Sequence, residues 1–327
     1  MFKRIFSAAL SVLTAAMLFA GCTEGSSAAD SDKPLVVTTI FPVYDWVRQI
    51  SGNSDSIELK MLADNGTDMH SFQPTAEDIM QISSCDLFIY IGGESDKWTE
   101  DILKEAVNKD MKVINLLEVL GDSAKTEELA EGMQESEHEH EEDEDNGHEE
   151  YDEHIWLSLK NAEISCKEIA DALSEIDGEN SGTYAENLRE YSEKLDALDK
   201  EYTAAVRASE RKTLLFADRF PFRYLTDDYG IDYYAAFDGC SAETEASFET
   251  VTFLAKKTDE LDLHTVLVTE SSDGKIAKTV ITNTASKDQQ ILSLNSMQSV
   301  SSDDIKNGET YLSVMESNLE TLKSALK

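Results

Sequence analysis

The sequence predicts an α/β fold of two (β/α) lobes with parallel sheets, joined by one long rigid helix. Two observations carry this reading. Short aliphatic and β-branched runs alternate with amphipathic stretches at crossover spacing, once over residues 35–116 and again over 213–325. Between the two sets, Thr183 to Ala208 contains no Gly or Pro, and Tyr184, Leu188, Tyr191, Leu195, Leu198, Tyr202 and Val206 recur at helical period.

The first residues read as an address. Lys3 and Arg4 precede an apolar stretch, Ile5 to Ala20, too short for a membrane span and suited to a secretory signal. It ends in Leu18-Phe19-Ala20-Gly21-Cys22, which resembles the bacterial lipobox, with Phe19 where Leu is usual. Residues 1–21 are therefore expected to be a lipoprotein signal peptide. Cys22 would be the lipidated residue and 22–33, rich in Ser, Ala and Asp, a tether. The mature chain is expected outside the cytoplasm, anchored to the cell membrane.

The N-terminal lobe is expected over 34–175. Leu35 to Thr39 reads as a strand and Val43 to Ile50 as helix, then Ile57 to Leu62 as strand and Thr75 to Ser83 as helix. Leu87 to Ile91 is a strand, Trp98 to Asn108 a helix and Lys112 to Leu116 a strand. The linker helix is placed within 176–210; 26 residues of helix would run about 39 Å. In the C-terminal lobe, 211–327, strands are expected at Thr213 to Ala217, Ile231 to Ala235, Thr265 to Thr269 and Gln290 to Leu294. Helices are expected near Pro221 to Tyr229, Glu245 to Glu260, Gly274 to Ala285 and Glu309 to Ala325.

One insertion breaks the alternation. Glu127 to Glu153 holds 15 acidic residues and no Lys or Arg, and is expected to be a mobile loop that cannot pack. It contributes to a chain of 66 Asp+Glu against 28 Lys+Arg, with formal net charge −38. That balance argues against nucleic acid as a partner, because phosphate contacts need clustered Lys and Arg. It suits a protein that concentrates cations. Besides Cys22, only Cys85, Cys166 and Cys240 remain, too few for a disulfide scaffold, and buried thiols are the simplest account of them.

Four of the six His fall between 138 and 154. His138, His140 and His148 lie among carboxylates in the acidic loop, a composition suited to weak capture of divalent metal. His154 closes the run. Other candidates follow strands: His70, Asp218, Glu270 and Asn295. In parallel α/β folds ligands bind beyond the carboxyl ends of strands, so these residues can converge in one cleft between the lobes. Singly, each reads as a cap or turn residue. His264 precedes a strand and reads as structural.

Two segments resemble a known family. Asp68-Met69-His70-Ser71-Phe72-Gln73-Pro74-Thr75 is similar to the pattern D-P-H-S-F-E-P-T, and Tyr151-Asp152-Glu153-His154-Ile155-Trp156-Leu157 to D-P-H-V-W-L. Ile40-Phe41-Pro42-Val43-Tyr44-Asp45 and Ile89-Tyr90-Ile91-Gly92-Gly93 fit as well. The family is the zinc/manganese solute-binding lipoproteins of bacterial ABC transporters, and the resemblance runs from about Pro34 to Lys327. It implies a metal cargo held between the lobes, with His70 and His154 as ligands from the N-terminal lobe.

The C-terminal lobe departs from the pattern. Ala217-Asp218-Arg219-Phe220-Pro221-Phe222-Arg223-Tyr224 matches a segment like H-D-A-F-G-Y, which puts Arg219 at the ligand position. Arg cannot bind a cation. Asp218 is the substitute chosen here, Asn295 takes the fourth place held by Asp in manganese-type members, and Glu270 and Glu243, with Glu245, are further candidates. Two imidazoles with a carboxylate favour Zn²⁺ as cargo, while the oxygen donors are compatible with Mn²⁺.

The resemblance therefore implies a monomeric, non-enzymatic receptor that delivers Zn²⁺ to a membrane ABC permease. Two other classes compete with this reading: a non-transport surface or adhesion lipoprotein, supported only by Arg219 and Asn295, and a secreted zinc hydrolase, for which the sequence has no His-Glu-x-x-His helix. A tetrapyrrole or siderophore cargo would need a basic cleft, and Arg219 and Arg223 are its only sign.

Overall fold

The computed structural model describes residues 33–52, 55–134, 150–241 and 245–327. Two four-stranded, wholly parallel sheets form its frame. The first takes β1 (Leu35–Thr38), β2 (Glu58–Met61), β3 (Leu87–Tyr90) and β4 (Lys112–Asn115) in the order β2-β1-β3-β4. The second takes β5 (Thr213–Phe220), β6 (Asp232–Asp238), β7 (Thr265–Thr269) and β8 (Gln290–Leu294) in the equivalent order β6-β5-β7-β8. The order in which successive strands are added reverses beside the first strand of each sheet, and α/β sheets bind ligands in the crevice at such a point.

Helices cover the sheets. In the first half these are α1 (Phe41–Ser51), α2 (Ala76–Ser84), α3 (Thr99–Lys104), α4 (Leu116–Leu120) and α5 (Leu159–Ile176). The second half has α7 (Arg223–Tyr229), α8 (Phe248–Glu260), α9 (Lys275–Thr282), α10 (Ser302–Lys306) and α11 (Tyr311–Ala325). Local chemistry sets their ends. Pro42 opens α1, and Gly52 closes it at φ 72. Thr75 and Asp78 form a reciprocal capping box on α2, and Ser158 caps α5 by accepting from Asn161 N.

Between the halves runs α6 (Ser181–Ala208), 28 residues and about 42 Å long. Its buried stripe is Tyr184, Tyr191, Leu195, Leu198, Tyr202 and Val206, the residues expected from periodicity; Leu188 is only partly buried. The helix is not a bare strut. One apolar cluster passes from Val36, Trp46 and Trp156 through this stripe to Phe216, Tyr311 and Leu322. Tyr311 at the start of α11 donates its backbone N–H to Asp45 Oδ2 (2.9 Å) and its hydroxyl to Trp156 O (2.7 Å), so the last helix is tied to first-half elements. Smaller clusters sit beneath α8 and α9 and beneath α2.

Several expectations need correction. The helix expected over 98–108 is a single short one, Thr99–Lys104. Helix α5 has no counterpart among the elements expected above; Leu159, Ala162, Cys166, Ile169 and Leu173 are its buried face. Strand β5 runs on to Phe220, with its register against β6 shifting between Phe216 and Arg219, so Asp218 and Arg219 lie in an irregular strand end. The start of the acidic segment is anchored instead of loose. Thr126 bridges Tyr151, Gln134 N donates to Ala236 O (2.9 Å), and Glu128 and Glu131 pair with Arg223 and Lys257. Among the described residues no helix is long and apolar enough to cross a membrane.

Candidate metal centre

The first imidazole arises from a 3₁₀ turn, Met69–Ser71, that follows β2. Asp68 caps this turn, its Oδ1 accepting from His70 N (3.1 Å). The second arises just before another 3₁₀ turn, Ile155–Leu157, where Asp152 Oδ1 accepts from His154 N (2.8 Å). Both motifs use the same device: an Asp two residues upstream fixes the backbone that carries the His.

The two rings meet. His70 Nε2 and His154 Nε2 stand 3.2 Å apart. Two nitrogens each 2.0–2.1 Å from one tetrahedral Zn²⁺ stand roughly 3.3 Å apart, so the pair already has the spacing of two ligands. Each ring is held from behind. His154 Nδ1 lies 2.9 Å from Asp152 Oδ1, and His70 Nδ1 lies 2.7 Å from Ser95 Oγ. Ser95 in turn donates its backbone N–H to Glu153 Oε1 (2.7 Å). With each Nδ1 set against these partners, the two Nε2 atoms converge on one point, which is the arrangement a cation satisfies.

Burial and charge set the protonation of the pair. His154 is fully buried and the His70 side chain is 11% exposed. Burial, the neighbouring His154 and Arg219 push His70 down to about 3, so it stays neutral and able to bind metal. Burial opposes protonation of His154 too, but Asp152, with Glu153 and Glu127, outweighs it and raises that ring.

The C-terminal half closes over the pair. Gly239 follows β6, and a Cβ there would lie 2.7 Å from His154 Cε1; only glycine lets this backbone approach. The next residue brings a third donor: the ligand atoms of His70, His154 and Cys240 all lie within 4.8 Å of one another. From the loop after β8, Gln298 Nε2 reaches His154 Nε2 (3.1 Å). Cys240 and Gln298 were both missed as candidates. For Cys240 the signal was its place after a predicted strand, beside Glu243 and Glu245.

The other expected ligands are engaged elsewhere. Asp218 Oδ2 accepts from Thr269 N and Thr269 Oγ1, both at 3.1 Å, and bonds β5 to β7. Glu270 accepts from Ser296 N (2.8 Å), Ser296 Oγ (2.9 Å) and Ser299 Oγ (3.3 Å). Asn295 Oδ1 accepts from Met297 N (2.8 Å), an Asx turn that holds buried Met297 at φ 62. Asn295 and Glu270 thus shape the loop that presents Gln298, and Ser296 Oγ lies 2.9 Å from Gln298 Oε1 as well. Arg219 Nη2 forms an ion pair with Asp68 Oδ2 at 2.7 Å. Arg223 pairs with Glu128 and donates to Thr126 O. His264 Nε2 is 3.1 Å from Arg211 Nη2, remote from the pair. Cys85, Cys166 and Cys240 are all free thiols. Cys22, His138, His140, His148 and Glu243 lie outside the described residues.

Fold and site together define a class: a two-lobed α/β protein in which two imidazoles converge where its halves meet. The chain belongs to the family described as zinc-uptake complex component A, periplasmic (ZnuA), whose model matches residues 36–325. This is a family of solute-binding transport proteins. The zinc-binding lipoprotein AdcA of Streptococcus pneumoniae serotype 4 is 31% identical over 318 residues, covering 96% of this chain and 60% of that protein. The high-affinity zinc uptake system protein ZnuA of Bacillus subtilis is 29% identical over 330 aligned positions, covering 100% of this chain and 99% of the relative. The chain therefore spans less than two thirds of AdcA and nearly all of the Bacillus protein. Among solved structures, Zn(II)-bound AdcA from Streptococcus pneumoniae matches with a TM-score of 0.70 at 28% identity, covering 90% of this chain and 58% of that one. The metal-dependent lipoprotein YcdH from Bacillus subtilis matches with a TM-score of 0.71 at 26% identity, covering 90% and 99%.

Proposed function

We propose that the protein is an extracytoplasmic receptor that captures Zn²⁺ and delivers it to the membrane permease of an ABC transporter. The observation that carries this reading is the convergence of two buried, neutral-capable imidazoles at 3.2 Å, each oriented through its other nitrogen. The zinc named in the relatives supports the choice of ion. The ion is cargo, and no bond of a substrate is broken; the protein acts as a monomeric carrier, not an enzyme. Residues 1–21 serve as signal peptide, Cys22 as the lipid-bearing anchor and 22–33 as tether. The lobes are 34–175 and 211–327, with 176–210 between them. His138, His140 and His148 raise the local metal concentration, or sense sufficiency, without being needed when metal is abundant.

Calorimetric titration of the chelator-stripped protein with Zn²⁺, then with Mn²⁺ in competition, tests the reading. One tight equivalent of Zn²⁺ in the wild type, lost in His70→Ala/His154→Ala, is the expected result. Binding that survives the double variant would remove the site, and with it the receptor assignment.

A further inference from the structure

We propose that Cys240 supplies the third metal ligand, as a thiolate, and that this sulfur makes the site select Zn²⁺ and other thiophilic ions over Mn²⁺. The proposal rests on the receptor reading above and names the chemistry that gives that site its selectivity. Of the His, Cys, Asp and Glu residues described, Cys240 is the one grouped with the imidazole pair, all three ligand atoms lying within 4.8 Å of one another. Zn–N bonds of 2.0–2.1 Å and Zn–S bonds near 2.3 Å put sulfur roughly 3.5 Å from each nitrogen in a tetrahedral site. An adjustment on the order of 1 Å, within reach of a rotation at Cys240, closes that gap.

Among the described residues, the other expected ligands are engaged elsewhere and leave this role to Cys240. Arg219 stands at the position where the resemblance expects a ligand, and it is spent on Asp68. Asp218 is bonded to Thr269, and Glu270 and Asn295 to the loop before Gln298. Gly239 lets the backbone pass against His154, which carries the next side chain to the pair. The Cys240 backbone is set in turn, its N–H donating to Asp238 Oδ1 (3.1 Å).

On binding, the Cys240 S–H loses its proton and sulfur donates a lone pair to the ion; the proton leaves to solvent. Burial, with Glu127 and Glu153, pushes this thiol well above its ordinary range. A divalent cation at the imidazoles supplies the opposite field and displaces the proton. Soft thiolate suits Zn²⁺, whereas Mn²⁺ prefers oxygen, so the sulfur discriminates between the two cargoes.

Co²⁺ titration followed by absorption tests this, since cobalt reports a bound thiolate by a near-ultraviolet charge-transfer band. The expected result is one band per bound Co²⁺ in the wild type and in Asp218→Asn. In Cys240→Ser the band is absent and Zn²⁺ binds about tenfold or more weakly, with a smaller preference over Mn²⁺. Cys240→His is expected to keep binding and lose the band, which separates loss of sulfur from loss of fold. Co²⁺ binding without a band in the wild type, or a band that persists in Cys240→Ser, would overturn the sulfur ligand and leave the imidazole pair standing. No Co²⁺ or Zn²⁺ binding in the wild type would overturn the receptor reading itself.

Discussion

Arg219 of the second sheet and Asp68 of the turn after β2 join the two halves through a 2.7 Å ion pair. The same Asp68 holds His70, through the backbone N–H at 3.1 Å. Burial works against its charge, but Arg219 and His70 outweigh that and keep the carboxylate below its usual range. One side chain therefore positions a metal ligand and latches the opposite lobe over it. In Arg219→Met the stem remains and the latch is lost. Release of Zn²⁺ to a chelator is expected to quicken about tenfold, which is about 1.4 kcal/mol. A stopped-flow rate equal to the wild type would show that the pair does not hold the site closed.

Asp152 fixes the His154 ring from the far side. Asp152→Asn keeps an oxygen for the backbone N–H and removes the carboxylate behind the imidazole. Zn²⁺ affinity should fall about 10- to 100-fold, the usual effect of losing such a partner. Competition with a chromophoric chelator measures it, and an unchanged constant would mean that packing alone orients the ring.

Gly239→Ala places a methyl group 2.7 Å from His154 Cε1. Backbone or ring must shift, because contacts that short do not persist. A loss of Zn²⁺ affinity is expected that exceeds any loss in the wild-type-like Gly178→Ala, where a Cβ meets nothing within 4 Å. Equal behaviour of the two variants would place the β6 loop away from the ligand.

Asp96 provides a pH test on a group that is not itself one of the expected ligands. Its Oδ2 accepts from Ile91 N (3.0 Å) and Gly92 N (3.1 Å), and burial, with Glu153, pushes it up to about 7. The folded protein thus keeps a proton that the unfolded chain releases near its ordinary value of 3.8. Stability falls as pH rises through that window and this group adds no further change above it. Asp96→Asn retains the acceptor and cannot titrate. Urea unfolding at pH 5 and pH 7.5 should show the variant gaining on the wild type by at least about 1 kcal/mol at the higher pH. A difference that does not move with pH would contradict this.

Leu195 in α6 is 1% exposed and belongs to the cluster shared by both halves. Leu195→Ala should cost about 2–5 kcal/mol. Because the core is continuous, calorimetry should show one lowered transition rather than loss of one lobe. Two separated transitions would mean that the halves fold independently.

The periodic stripe of α6, the strand–helix alternation and the spacing of the two His motifs were legible along the chain. The stripe and the alternation depend on neighbours three or four residues apart in a helix, or two in a strand, which local sequence records directly; the two His motifs were marked by the family resemblance. The Asp two residues before each His is likewise local, and it sets each turn. The third donor was not legible. Asp218 looked suitable because it sits beside Arg219, yet Thr269, 51 residues later, claims its carboxylate. Glu270 and Asn295 were drawn in by their strand-end positions, and hydrogen bonds to Ser296 and Met297 use them in shaping a loop. Cys240 and Gln298 reach the imidazoles only because two parallel sheets and one shared core bring the ends of β6 and β8 to the turn after β2. The sequence by itself determined the lobes, the connecting helix and the His pair. Tertiary structure alone decided which residues close over that pair, because a side chain's partners across a cleft depend on backbone approach, as at Gly239, and on competing hydrogen bonds that no spacing encodes.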